Sequence, residues 1–165
     1  MFKQIISQPL GLEKLKSLLP ERSKVMLYES IRNKKRSEIF KNLDSLVVLY
    51  DTKVNNKKIG QYVGLLPRPH SIEYFSSLGR SPTDEMKSLH QNPAVFRNLL
   101  GKNYTYNRKK LQLQSYSVED CGYWCIARCI LHELKLSAFQ RLFTPRSLRS
   151  SDEVLAVMSA LLANR

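Results

Sequence analysis

The chain has 165 residues, 42% of them hydrophobic, with 27 Lys+Arg against 14 Asp+Glu, a formal charge of +13 and three cysteines. That length suits one globular domain, since domains run to roughly 100–200 residues, and the apolar content excludes a disordered basic tail. No apolar run approaches the roughly 18–20 residues that cross a bilayer, and Met1-Phe2-Lys3-Gln4-Ile5-Ile6 lacks the order of a signal peptide, so a soluble intracellular protein without membrane contact is expected.

In chain order, Leu12, Leu15, Leu18 and Leu19 recur near the helical period, which predicts a short amphipathic helix ended by Pro20. Ser45-Leu46-Val47-Val48-Leu49-Tyr50 is a nearly continuous apolar run rich in β-branched residues, as in a central strand covered on both faces. A polar turn at 53–58 leads to a second strand over 59–66. Pro67-Arg68-Pro69-His70 then turns into a third over 71–75, so three antiparallel neighbours are expected. Pro82-Thr83-Asp84-Glu85 has the proline and acids of a helix start, with the helix interrupted at Pro93 and stopped at Gly101. Residues 104–116 alternate loosely, which predicts a strand with Gln112 and Gln114 on one face. Residues 124–136 read as a buried helix, and 152–162 as another capped by Ser151 or Asp152. The sum is α+β, a small sheet packed against helices in a single domain over 1–165.

The stretch that carries chemistry runs from Gln114 to Cys125 and contains Asp120-Cys121-Gly122-Tyr123-Trp124. A cysteine at a loop-to-helix junction is chemically useful, because unpaired N–H groups and the helix dipole favour a thiolate there. Backbone donors and an amide side chain at the same place can hold an oxyanion. Cys121 is therefore the candidate nucleophile. Cys125 and Cys129 read as small core residues. With Cys121 and His132 they line one helical face, but a straight helix cannot wrap a tetrahedral ion, so neither metal nor cofactor is expected.

These residues resemble the adenovirus-type and SUMO-protease-type cysteine peptidases, whose nucleophile lies in a similar turn opening a buried helix, and most of all the short maturation proteases of virophages and Polinton-like elements. The resemblance spans residues 25–131 and includes Val47-Val48-Leu49-Tyr50-Asp51-Thr52-Lys53, Gly60-Gln61-Tyr62-Val63 and Phe75-Ser76-Ser77-Leu78-Gly79. It implies a papain-like, adenain-like fold with a central nucleophile helix. It further implies Cys121 as nucleophile, Gln114 as oxyanion donor with Gln112 as the alternative, Gln61 where the family has its histidine, and Ser76 where it has its carboxylate.

The two replacements matter. The histidine takes the thiol proton and later protonates the leaving amine, and the acid fixes the imidazole tautomer. An amide has no useful basicity near neutral pH, and a serine supplies no charge. His70 at a turn, His90 and His132 are poorly placed to substitute, because general-base catalysis needs hydrogen-bond reach of roughly 3 Å. Glu73 falls on the sheet face opposite Ser76 by its odd offset, and Asp120 reads as a helix cap.

The resemblance implies a viral endopeptidase that processes capsid or core precursors, with impaired catalysis. The alternative is a noncatalytic pseudoprotease, virion-associated or DNA-binding. It also implies a virion or assembly-site location and a possible activating peptide. The +13 charge independently favours DNA, through clusters at Lys34-Lys35-Arg36, Lys57-Lys58 and Arg108-Lys109-Lys110.

Overall fold

The computed structural model describes residues 10–54, 56–112, 118–144 and 155. The first helix is α1 (Leu12–Leu18), followed by β1 (Ser23–Leu27), a 3-10 turn (Tyr28–Ile31) and α2 (Arg36–Ile39). Next come β2 (Ser45–Val54), β3 (Lys57–Pro67), β4 (Ile72–Phe75), α3 (Pro82–Ser88) and α4 (Ala94–Leu100). The described chain ends with β5 (Tyr104–Tyr106), α5 (Val118–Ile130) and α6 (Leu136–Leu142).

The five strands form one mixed sheet in the order β1-β2-β3-β4-β5, the β2-β3-β4 centre antiparallel and both outer pairs parallel. The expected α+β architecture and its antiparallel trio are thus present. The apolar run of β2 exists because both of its faces are buried. Leu46, Val48 and Tyr50 face a cluster with Tyr28, Tyr74 and Phe96, while Val47 faces α5 with Tyr62, Phe75 and Trp124. Asn56, at φ 61°, takes the left-handed conformation at the β2–β3 turn, which asparagine tolerates better than most residues.

Helix α3 starts as its sequence dictates. Ser81 Oγ accepts the Asp84 N–H at 3.1 Å, and Pro82 occupies the first turn, where its missing N–H costs nothing. Its successor α4 begins just after Pro93 and stops at Gly101, φ 66°.

Two expectations need correction. Of the strand foreseen over 104–116, the described residues 104–112 hold Tyr104–Tyr106 as strand and Gln112 in irregular chain, while residues 113–116, Gln114 among them, fall outside the described residues. The central helix opens at Val118 and closes at Ile130, which places Asp120 within the first turn and His132 past the end. Of the tail helix over 152–162 only Leu155 is described, helical and buried.

The C-terminal end of α5 is tied to β4 by charge. Arg128, wholly buried, donates to both Glu73 oxygens at 2.7 and 3.1 Å and to the carbonyls of Leu131 and Leu134. Arg68 reaches Glu73 Oε2 from the other side at 2.7 Å. A buried carboxylate with two guanidinium partners and filled lone pairs is a satisfied network. Glu73 is accordingly a structural residue, not a replacement catalytic acid.

Candidate active site

The site begins where the sheet opens. Strand β4 ends at Phe75, opposite Gly64, so the earlier part of β3 has no β4 neighbour. There the Tyr62 N–H points at Cys121 Sγ, 3.5 Å away. The helix therefore delivers its fourth residue to an open strand edge, next in the chain to Gln61. Cys121 is fully buried.

Gly122 keeps the packing beside this contact close. A Cβ there would lie 2.9 Å from Leu10 Cδ2 and 3.3 Å from Tyr62 Cδ2. Leu10 also accepts the Tyr62 hydroxyl on its carbonyl oxygen at 3.3 Å. Burial first, then the Cys121 and Cys125 sulfurs, push the Tyr62 phenol up to about 12, so it stays a neutral donor. Leu10 thus covers the residue that follows the thiol.

Gln61 lies opposite Tyr50 in the β2–β3 register, so strand alternation directs it to the face opposite Tyr62. Its Nε2 is buried and has no hydrogen-bond partner. Ser76 is fully buried just beyond β4, its hydroxyl donating to Glu85 Oε2 at 3.3 Å and accepting the Leu78 N–H. Asn107 clamps the Ser76 backbone, accepting its N–H on Oδ1 at 2.9 Å and donating Nδ2–H to its carbonyl.

The Ser76–Gly79 turn also holds the segment that leads toward α5. Leu111 and Gln112 N–H both donate to the Ser77 carbonyl, and Ser77 Oγ donates to Gln112 Oε1 at 2.7 Å. Gly79, at φ 69°, has no room for a side chain, since a Cβ would meet Lys109 backbone carbon at 2.7 Å. Gln112, the alternative oxyanion donor, is therefore buried and oriented by Ser77, whereas Gln114 lies outside the described residues.

The histidines do not enter this site. His70 and His90 are exposed, and His132 sits near Asp44, with Nε2 to Oδ2 at 3.8 Å. Cys125 and Cys129 are fully buried, and desolvation raises both thiols, that of Cys129 to about 11, which makes them core residues.

Glu85, Asn107, Ser77 and Leu10 escaped the sequence reading. Glu85 was visible only as an acid in a helix start, and nothing in the linear pattern indicated that it turns inward to Ser76. Asn107 carries no motif and Ser77 is only an unassigned position within the Phe75–Gly79 phrase, because their partners lie 31 and 35 positions away.

No protein-family model matches the chain. A protein of the Sputnik virophage, described as uncharacterized protein V9, is 24% identical over 140 residues, covering 75% of this chain and 77% of its own. In fold the chain is similar to the C-terminal ULP1 protease domain, solved in complex with the yeast ortholog of SUMO, at TM-score 0.47 and 10% identity, covering 99% of this chain and 80% of that one. It is also similar to the ASFV protease, at 0.42 and 14%, covering 81% of this chain and 55% of that one. A third likeness is to ChlaDub1 from Chlamydia trachomatis, at 0.43 and 17%, covering 99% and 77%. At these scores the likeness is one of outline, and no residue role is carried over from it. Among the described residues, no helix is long and apolar enough to cross a membrane.

Proposed function

We propose that this chain is a viral cysteine-type endopeptidase homologue that recognises capsid or core precursor proteins in the virion or at its site of assembly, and that its cleavage step is impaired. One observation supports this best: Cys121 Sγ meets the open edge of β3 at the Tyr62 N–H, one residue along the strand from Gln61, the amide that stands where the resemblance sets an imidazole. Cleavage requires the thiolate to add to the scissile carbonyl, the oxyanion to be held by donors such as the Gln112 or Gln114 amide, and the C–N bond to break as the amine receives a proton. Gln61 can neither remove the first proton nor return it. The virophage relative is consistent with a viral setting.

Restoring the base tests the reading. Gln61→His, with or without Ser76→Asp, is expected to make Cys121 reactive and to confer cleavage of a precursor-type peptide, while the unmodified chain cleaves slowly or not at all. A folded Gln61→His protein that gains neither property in either form overturns the proposal.

The second reading, a noncatalytic DNA-binding virion protein, is favoured by the exposed clusters Lys34-Lys35-Arg36 and Arg108-Lys109-Lys110 together with the +13 charge. Binding to phosphates by these side chains releases counterions, so affinity for duplex DNA should fall steeply as salt rises. Affinity that is constant across salt removes this reading. An activating peptide would show as a gain in thiol reactivity on adding precursor fragments to the Gln61→His protein.

A further inference from the structure

Resting on the reading above and deepening it, we propose that the site has lost its base but kept an acid: Glu85 is the carboxyl that would orient and stabilise an imidazole at position 61, held in place through Ser76. The carboxyl has moved from the strand end to the first turn of α3, and Ser76 bridges the displacement. Glu85 is fully buried, its Oε2 accepts the Ser76 hydroxyl at 3.3 Å, and its Oε1 has no partner. On the same side of the sheet, Gln61 Nε2 is likewise buried without a partner, beside Tyr50 in the strand register. The Tyr50 and Tyr74 hydroxyls of the same layer also lack a hydrogen-bond partner, so a cluster of unpaired polar atoms lies where buried polar atoms are almost always paired, and position 61 and Glu85 both border it.

The charged and titratable surroundings fit a site emptied of charge. Tyr50 of β2, Tyr74 of β4 and Cys125 of α5 feel the Glu85 charge, and Arg80 in the preceding loop is the cation that lowers its pKa. Burial outweighs Arg80 and Ser76, and raises the carboxyl from 4.5 to about 7. Gln61, being neutral, does nothing to offset the buried charge. An imidazolium at 61 would supply a cation and draw the carboxyl into its ionised form.

Glu85 acts through position 61 and is therefore a positioning residue. The test compares Gln61→His, Gln61→His/Glu85→Gln, Gln61→His/Ser76→Asp and Gln61→His/Ser76→Ala by Cys121 alkylation across pH and by peptide cleavage. The single variant should label with a midpoint at least one unit below the free-thiol value of roughly 8.5 and cleave at least about 10²-fold faster than the parent chain, the lower range for a positioned base. Adding Glu85→Gln, which keeps the shape and the Ser76 contact, should return the midpoint upward and remove at least about tenfold of the gain. Ser76→Ala should weaken the gain, and Ser76→Asp should add nothing, since two carboxyls would then crowd one site. Activity found only in the Gln61→His/Ser76→Asp protein, or a Gln61→His/Glu85→Gln protein as active as Gln61→His, overturns the role of Glu85 and leaves the peptidase reading standing. Folded variants that are all inert overturn both.

Discussion

Glu73 and Glu85 are both buried carboxyls, and their surroundings are opposite in kind. Glu73 is matched by Arg128 and Arg68, whose remaining donors reach the carbonyls of Leu131, His132 and Leu134. Glu85 has a serine hydroxyl on one oxygen and no hydrogen-bond partner on the other. The first is an ionic clamp between a strand and the C-terminal end of α5. The second is held by the Ser76 hydroxyl, and it is raised to about 7 because desolvation outweighs the pull of Arg80 and Ser76. Burial alone says little about what a carboxyl does, since partners decide whether it is structure or latent chemistry.

The sharpest way to break this contrast is to make Glu73 resemble Glu85. Arg128→Ala removes the wholly buried partner and should cost about 3–5 kcal/mol in denaturant unfolding, as expected when one member of a buried pair is deleted. A loss below about 1 kcal/mol would mean that Arg68 suffices and that the clamp is not where stability resides.

The converse change should stabilise. The folded protein holds the Glu85 proton up to about 7, against 4.5 ordinarily. Between those values the folded state binds more protons than the unfolded one, so stability falls as pH rises through the window and levels off above it. A shift of this size corresponds to up to about 3 kcal/mol. Glu85→Gln mimics the neutral acid, so it should match the parent near pH 4 and exceed it near pH 8 by up to that amount in urea unfolding. Equal pH profiles for the two proteins would show that Glu85 is ionised and paired after all.

A smaller effect tests what holds the second site. Asn107→Ala deletes both amide bonds to the Ser76 backbone and should cost about 1–3 kcal/mol, with a lowered thermal midpoint and a loss of the pH dependence assigned to Glu85. Smallest is Gly122→Ala. Its methyl meets the flexible end of Leu10 first, so the cost should be about 1 kcal/mol, with faster alkylation of Cys121 as Leu10 is displaced. Unchanged labelling would show that Leu10 does not guard the thiol.

How much of this was legible in the chain depends on distance along it. The β2–β3–β4 trio, the start of α3, the stop at Gly101 and the burial of the α5 cysteines follow from local signals: apolar runs, a proline with following acids, a glycine, a helical spacing. The short β5 did not follow, because a loose alternation of residues looks the same whether or not a partner strand extends beside it. Glu85 did not follow either. A helix-start acid normally faces water, and its inward turn depends on Ser76, Tyr50 and Tyr74, which come from other elements.

The sequence by itself determined which segments must be buried, where the chain must turn, and which thiol lies near the start of a helix, since each is a property of neighbours within a few residues. The resemblance it carries implies an amide, Gln61, and a hydroxyl, Ser76, where such peptidases have their base and acid. Only the tertiary structure decided which of these two buried carboxyls is neutralised by arginines and which is met by a serine hydroxyl on one oxygen. Desolvation and pairing are properties of what packs around a group, and those neighbours are brought together by the sheet.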